Sequence, residues 1–113
     1  MKLEGPEVRL TSEAAVSLGM AVHELTTNCA KYGAFSLPSG WVHVRWSVDD
    51  LGDEQRLALA WAEHDGPTVS PPERQGFGSV LLQRALGRQL GGDVEVTYAW
   101  EGLRVNITAL LHA

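Results

Sequence analysis

The stretch HELTTNCAKYGAF, from His23 to Phe35, carries side chains that could act together on a phosphorylated ligand. Within it, Glu24, Asn28 and Lys31 are spaced by four and three residues, which on a helix places them in one narrow stripe. A carboxylate, an amide and an amine are the groups needed to position a base and to hold a magnesium-chelated polyphosphate. The alternative interpretation is a solvated helix edge, whose members make only weak contacts with one another.

Glu63 is the second candidate. Strand alternation places it on the same face as Leu57, Leu59 and Trp61, at the point where a predicted strand ends. A buried carboxylate is costly without a partner, so the sequence predicts a donor beside it. One interpretation is that Glu63 closes an apolar pocket and accepts a hydrogen bond from the exocyclic amine of a ligand such as adenine. The other is structural, either a surface strand end or an ion pair with an arginine.

The third candidate is the segment RQGFGS, from Arg74 to Ser79. Gly76 and Gly78 flank Phe77 where a helix is predicted to begin, and glycines let the backbone approach a ligand closely. The start of a helix also offers free N–H groups and a positive dipole end to a phosphate. Ordinary junctions between a loop and a helix have the same pattern, so this motif alone is weak evidence.

These candidates require a scaffold of helices and hairpins, which hydrophobic periodicity, cap residues and turn residues delimit. The predicted elements, in chain order, are a helix from Thr11 or Ser12 to about Tyr32, strands over 41–48 and 56–63, a long loop over 64–78, a helix over Ser79–Leu90, and a closing hairpin over 94–109. Their order predicts an α+β fold, a two-layer α/β sandwich whose mixed, mostly antiparallel sheet has helices packed on one face.

Composition limits the possible functions. The 113 residues, 44% of them apolar, suit one globular domain over residues 1–113. The formal net charge of −5 disfavours nucleic acid as a partner, since such a surface repels phosphate backbones. The single cysteine, Cys29, and the absence of zinc spacing favour a reducing compartment, so we expect a cytoplasmic protein. The apolar runs are much shorter than the roughly 20 residues that span a bilayer, so we expect no direct membrane contact from this domain.

In their order and separation the three segments resemble the ATP-binding catalytic domain of sensor histidine kinases, in the GHKL ATPase superfamily with its Bergerat-type ATP-binding fold. The HWE subfamily is the narrower match. His23 begins the N-box segment HELTTNCAKYGA, and Trp61 and Glu63 form the Trp-x-Glu of WAEHDGP. The resemblance runs from about Gly5 onward and includes PPERQGFGSVLLQRALGRQLGG and the closing hairpin.

The resemblance implies ATP and Mg²⁺ as cofactors and gives each candidate a role. Glu24 would be the general base or the carboxylate that positions water, Asn28 the magnesium ligand, and Lys31 a phosphate contact. Glu63 would bind the adenine amine, with Asp65 as the alternative residue for that role. The other residues expected at the nucleotide or its lid are Tyr32, Gly66, Arg74, Gly76, Phe77, Gly78 and Ser79.

His23 has two interpretations, because it would either orient Glu24 for catalysis or simply pack within the helix. The sequence also departs from the family pattern at two places. The Asp-x-Gly-x-Gly of the wider superfamily is Glu63–Pro67 here, so two positions lose the backbone freedom of glycine and the motion of the lid would differ. Cys29 stands where the family usually has alanine, and we expect a buried, inert thiol there.

The resemblance therefore predicts a domain that binds Mg-ATP for phosphoryl transfer to a histidine on a separate dimerisation domain, and from there to the receiver domain of a response regulator. None of the histidines of this chain lies in a phosphoacceptor context, so we do not expect this domain to phosphorylate itself without the dimerisation and phosphoacceptor helices. The alternative is a catalytically degenerate nucleotide-binding, docking or phosphotransfer module on the same fold. A serine kinase of the anti-sigma type is disfavoured by the Trp-x-Glu pair.

Overall fold

The structure, a computed structural model, describes residues 1–67, 93–99 and 102–112. Its elements are β1 (Lys2–Glu4), α1 (Ser12–Tyr32), a 3-10 helix (Ala34–Ser36), β2 (Trp41–Asp50), β3 (Glu54–His64), β4 (Asp93–Ala99) and β5 (Gly102–His112). The helix predicted over Ser79–Leu90 lies outside the described residues. None of the helices within the described residues has the length and apolarity needed to cross a membrane.

Helix α1 has the boundaries that its cap residues predict. The side-chain oxygen of Thr11 accepts a hydrogen bond from the Ala14 N–H at 3.1 Å and so satisfies one of the unpaired donors of the first turn. At the other end, the Gly33 N–H donates to the Cys29 carbonyl at 3.0 Å. The predicted helix is confirmed, and it ends immediately before the short 3-10 helix.

The sheet has the order β1-β2-β3-β5-β4. β1 pairs with β2 in parallel, whereas the other three pairings are antiparallel, so the predicted mixed, mostly antiparallel sheet is confirmed. The β2–β3 hairpin is longer than predicted, because β2 extends to Asp50 and β3 begins at Glu54. β1 was not predicted, since a strand of three residues is too short to show a period of two.

One face of the sheet packs against α1. The helix contributes Ala14, Leu18, Ala21, Leu25 and Cys29 at spacings of three and four residues, and the strands contribute alternate residues to the same buried cluster. The largest fully buried side chains are Trp61, Ile107, Val42, Val105 and Cys29. Because Trp61 lies in this core, its neighbour on the same strand face, Glu63, is carried to the edge of the core beneath the end of α1.

Candidate functional site

Glu63 lies near the end of β3 and is only 3% exposed. Its Oε1 accepts a hydrogen bond from the Ala34 N–H at 3.0 Å, and its Oε2 accepts one from the Trp61 indole N–H at 3.0 Å. Hydrogen bonds to an ionised acceptor are about twice as strong as neutral ones. The predicted donor is therefore present, in the form of a backbone amide and an indole. The interpretation of Glu63 as a surface strand end is wrong, because the residue is buried.

Local structure explains both donors. Trp61 and Glu63 are two residues apart on one strand, so their side chains share a face, and a buried indole N–H needs an acceptor. Ala34 is the first residue of the 3-10 helix, where the backbone N–H has no partner within the helix. The carboxylate of Glu63 thus joins the central strand to the segment that follows α1.

Cys29 lies beside this carboxylate and is fully buried. Burial, and to a smaller extent the negative charge of Glu63 and its hydrogen bond with the thiol, raises the pKa of Cys29 to about 11. The nucleophilic form of a cysteine is the thiolate, which this environment disfavours at neutral pH. The prediction of a buried thiol is confirmed, and its surroundings make it unreactive.

The polar stripe of α1, composed of Glu24, Asn28 and Lys31, lies at the surface. Glu24 and Asn28 are half-buried, and Lys31 is exposed in the last turn. The Asn28 side-chain nitrogen donates to Glu24 Oε1 at 3.3 Å, so the first two members form a pair along the helix. Asn28 precedes Cys29, whose thiol contacts Glu63. The structure thus brings the stripe and the buried carboxylate to the same end of α1.

His23 is exposed, so the interpretation that it packs within the helix is wrong. Within the described part of the chain, no hydrogen bond joins it to Glu24, whose carboxylate accepts instead from Asn28. The hypothesis that His23 orients Glu24 therefore has no contact to support it.

Asp65 follows β3 and lies on the other side of the sheet from Glu63. Its Oδ2 accepts from the Trp41 indole N–H at 2.9 Å, and its carbonyl accepts from the Ser39 hydroxyl at 3.1 Å. The Trp41 ring stacks on His64 at 4.3 Å, and these two are cross-strand partners on the face opposite the core. Asp65 has a φ of 55°, a left-handed conformation that aspartate tolerates. Its carboxylate therefore fastens the turn after β3 to the start of β2.

Two glycines allow the backbone to pack closely around the Ala34–Glu63 hydrogen bond. A Cβ at Gly66 would lie 2.5 Å from the Cα of Ala34, closer than side chains tolerate. Gly102 has a φ of 150°, and a Cβ there would meet the carbonyl oxygen of Glu63. Gly66 was expected at the nucleotide or its lid, whereas Gly102 lies within the predicted closing hairpin.

The oxygen donors of the stripe fit a magnesium ion that arrives with a polyphosphate. Within the described residues, no group of three or more His, Cys, Asp and Glu side chains is placed to hold a metal ion. Mg²⁺ commonly uses only one or two protein oxygens and takes its other ligands from phosphates and water. The neighbouring side chains of Glu24 and Asn28 can supply that smaller number.

The other predicted nucleotide contacts lie outside the described side chains. Those that lie outside the described residues are Arg74, Gly76, Phe77, Gly78 and Ser79. The backbone of Tyr32 ends α1, and its side chain is outside the description. The roles of these six residues stay predictions from the sequence.

The fold is that of histidine kinase catalytic domains. The histidine kinase domain of the Erythrobacter litoralis EL346 blue-light activated histidine kinase aligns with a TM-score of 0.70 at 23% identity, over 97% of this chain and 51% of that one. The Acinetobacter baumannii histidine kinase AdeS aligns with a TM-score of 0.63 at 12% identity, over 99% of this chain and 54% of that one.

Sequence similarity goes further than the fold. No protein-family model matches the chain. It is, however, 35% identical over 107 residues to the blue-light-activated histidine kinase of Brucella ovis, an alignment that covers 95% of this chain and 22% of that protein. The Brucella anthropi protein of the same name is 34% identical over 113 residues, which is 100% of this chain and 23% of that protein. This chain is therefore similar in sequence to blue-light-activated histidine kinases and has the fold of histidine kinase catalytic domains. It spans about a fifth of the length of these curated relatives.

The two N–H donors to Glu63 are contacts of the candidate site whose identity the sequence pattern did not give. The spacing of Trp61 and Glu63 on one strand face was the available signal for the indole, because a buried Trp N–H must find an acceptor. The Ala34 amide had no such signal. It is 29 residues from Glu63, and their contact depends on how the end of α1 meets β3.

Proposed function

We propose that this domain binds Mg-ATP as the catalytic domain of an HWE-type sensor kinase in a two-component system. It would present the γ-phosphoryl group to a histidine on a separate dimerisation domain, from which the group passes to the receiver domain of a response regulator. The observation that carries the proposal is the buried Glu63 carboxylate, held by two N–H donors where β3 reaches the end of α1. The whole chain, residues 1–113, would act as this one domain.

Glu63 is the residue we assign to the adenine amine. Glu63 is the strand partner of Val42 and accepts from Trp61, both members of the buried core, and a buried carboxylate discriminates strongly between amine and oxo groups. Asp65 is the weaker candidate because it is exposed and lies in the turn after β3, where it is fastened to Trp41 on the face of the sheet opposite the core.

The stripe on α1 would serve the phosphates. Asn28 would hold Mg²⁺ through its side-chain oxygen, Lys31 would contact a phosphate, and Glu24 would act as general base or position the attacking group. The bound metal would neutralise charge that develops on the phosphates. The segment with Arg74 and Ser79 would form the lid, and this part of the proposal comes from the sequence alone.

Phosphoryl transfer asks little covalent chemistry of a protein, since it depends on positioning and on charge stabilisation. This domain would hold the adenine ring at Glu63 and the phosphates at the stripe, so that the terminal phosphate is held for in-line attack. The histidine nucleophile would come from a helix pair of the dimerisation domain. The cytoplasmic location stays a prediction from the sequence.

Titration calorimetry with a non-hydrolysable ATP analogue, with and without Mg²⁺, tests the proposal. We expect binding that becomes tighter when Mg²⁺ is added. Binding that is indifferent to the metal would favour the degenerate docking module, and no binding under either condition would contradict a nucleotide site altogether. A Lys31→Ala variant, altered at an exposed position, should fold normally and bind the analogue more weakly.

A further inference from the structure

We infer that Trp61 is a positioning residue for base recognition, whose indole N–H orients the Glu63 carboxylate and thereby gives the site its preference for a 6-amino purine. The inference rests on the proposed function, because it requires that adenine binds at Glu63. It goes beyond that function by giving the tryptophan of the Trp-x-Glu pair a task in ligand selection. Trp61 itself need not touch the nucleotide.

The first step of the argument is the freedom of the glutamate side chain. The last torsion of Glu is broad, so the plane of its carboxylate is set by its partners and not by its own rotamer preferences. In this structure the two oxygens of Glu63 receive donors from two different elements, Ala34 of the 3-10 helix on one and Trp61 of β3 on the other. These two N–H donors on opposite oxygens, together with the Cys29 thiol that contacts the carboxylate, fix both the position and the plane of the group.

The second step is the rigidity of the indole. Trp61 is 1% exposed and lies in the centre of the sheet, where its cross-strand neighbours are Val44 on β2 and Val105 on β5. Close packing leaves such a ring no alternative rotamer, so the direction of its N–H is fixed by the core. An indole N–H donates and does not accept, so it requires an acceptor, which here is the Glu63 carboxylate. The core therefore fixes the indole, and the indole N–H fixes the orientation of the Glu63 carboxylate.

The third step connects orientation to selectivity. A carboxylate can accept about four hydrogen bonds, so being held by protein donors is compatible with accepting from a ligand amine. If the carboxylate is fixed, a purine without the 6-amino group loses this hydrogen bond, and Glu63 cannot turn to a different partner. If the carboxylate is loose, it can rotate away and the penalty shrinks. The indole N–H should therefore affect discrimination between ligands more than it affects the affinity for purines in general.

Trp46 provides a matched control within the same chain. Its indole N–H donates to the Pro6 carbonyl at 2.7 Å, and its ring packs against the same core from β2. Replacing it with phenylalanine removes the same atoms and a similar hydrogen bond. Its strand partner is Leu59, and its hydrogen bond does not involve Glu63.

The experiment compares ATP with purine riboside 5′-triphosphate, which lacks the 6-amino group, by calorimetry with Mg²⁺ on the 113-residue chain. For the unaltered protein we expect ATP to bind at least about tenfold more tightly, as a hydrogen bond to a charged group implies. In Trp61→Phe this ratio should fall to about threefold or less, whereas Trp46→Phe should keep it. To guard against misfolding of Trp61→Phe, a second protein carries 3-benzothienylalanine at position 61, an isostere of tryptophan without the N–H.

The outcomes separate the inference from the function on which it depends. The positioning role would be overturned if the ratio of the two affinities is unchanged in Trp61→Phe and in the 3-benzothienylalanine protein. It would also be overturned if these proteins lose affinity equally for the two nucleotides. In either case the nucleotide site itself would stand. Failure of the unaltered protein to bind either nucleotide would overturn the proposed function and this inference with it. A reduced ratio in the isostere, with Trp46→Phe unaffected, would support the inference.

Discussion

The two ends of the candidate site are built differently. At the Glu63 end, a carboxylate that is 3% exposed receives two N–H donors at 3.0 Å from two separate elements. At the stripe on α1, the side chains are half-buried or exposed, and the hydrogen bond between Asn28 and Glu24 is longer, at 3.3 Å, and lies within one helix. One end is thus rigid before any ligand binds, and the other can rearrange.

Under the proposed function, the two ends would receive different charges, and this would explain the difference. An amine of a planar base can be met by one buried carboxylate, provided that protein donors hold it. The phosphates of a nucleotide bring several charges and a hydrated cation, and burying the charged side chains that meet them would be costly until the ligand arrives. We therefore expect changes at the Glu63 end to affect both folding and binding, and changes at the stripe to affect binding alone.

The largest effect is expected from Glu63→Gln. The amide nitrogen of glutamine cannot accept a hydrogen bond, so the N–H of either Ala34 or Trp61 would be left buried without its acceptor. We expect a loss of about 1 to 3 kcal/mol in the free energy of unfolding, together with a roughly 100-fold loss of ATP affinity. Urea denaturation and calorimetry measure the two quantities. Full stability with full affinity would contradict the view that this end is preorganised.

A second prediction tests whether the same end excludes water. The pKa of Cys29 is raised from its ordinary value of 9.0 to about 11, so the folded protein holds this proton more tightly than the unfolded chain does. The stabilisation is fully present below pH 9.0 and is lost as pH rises through about 11. Two pKa units correspond to about 2 to 3 kcal/mol.

The measurement is urea denaturation over this pH range for the unaltered protein and for Cys29→Ala, which lacks the thiol. Between pH 9.0 and pH values above about 11, the free energy of unfolding of the unaltered protein should fall by about 2 to 3 kcal/mol relative to that of Cys29→Ala. Parallel curves would indicate that water reaches the thiol and that the Glu63 end is less closed than its burial suggests.

The third prediction concerns the stripe. Asn28→Ala removes the side-chain oxygen assigned to Mg²⁺, and among the described residues it deletes one long hydrogen bond on the surface of α1. We expect the Mg²⁺-dependent part of ATP affinity to fall about tenfold, with the free energy of unfolding changed by less than about 0.5 kcal/mol. Calorimetry with and without Mg²⁺ measures the first quantity. A large loss of stability would mean that the stripe is as rigidly built as the Glu63 end.

Much of this architecture could be predicted from local sequence patterns. The cap at Thr11 and the periodicity of α1 set the helix, and alternation along β2 and β3 placed Glu63 on the core face, because each of these signals depends on neighbours within a few residues. The pattern also predicted that Glu63 would need a donor.

The rest depends on contacts between segments that are distant in the chain. The Ala34 amide reaches Glu63 across 29 residues, and the Trp41 indole reaches Asp65 across 24. No spacing rule links such pairs, since they form only when the end of α1 and the start of β2 meet the end of β3. The sequence consequently left Glu63 and Asp65 as alternatives for the adenine amine, although the fold surrounds them differently.

Asp65→Asn gives the smallest expected effect and is the isosteric counterpart of Glu63→Gln. Asparagine tolerates the left-handed φ of 55°, and its amide oxygen can still accept from the Trp41 indole. The variant therefore removes the charge while it keeps the fastening of the turn. If Asp65 only fastens the turn, ATP affinity should change by less than about threefold, within the range of a surface substitution. Calorimetry on the two isosteric variants measures the contrast directly. A larger loss in Asp65→Asn than in Glu63→Gln would reverse the assignment, because it would place base recognition in the exposed turn and leave the buried carboxylate with a purely structural role.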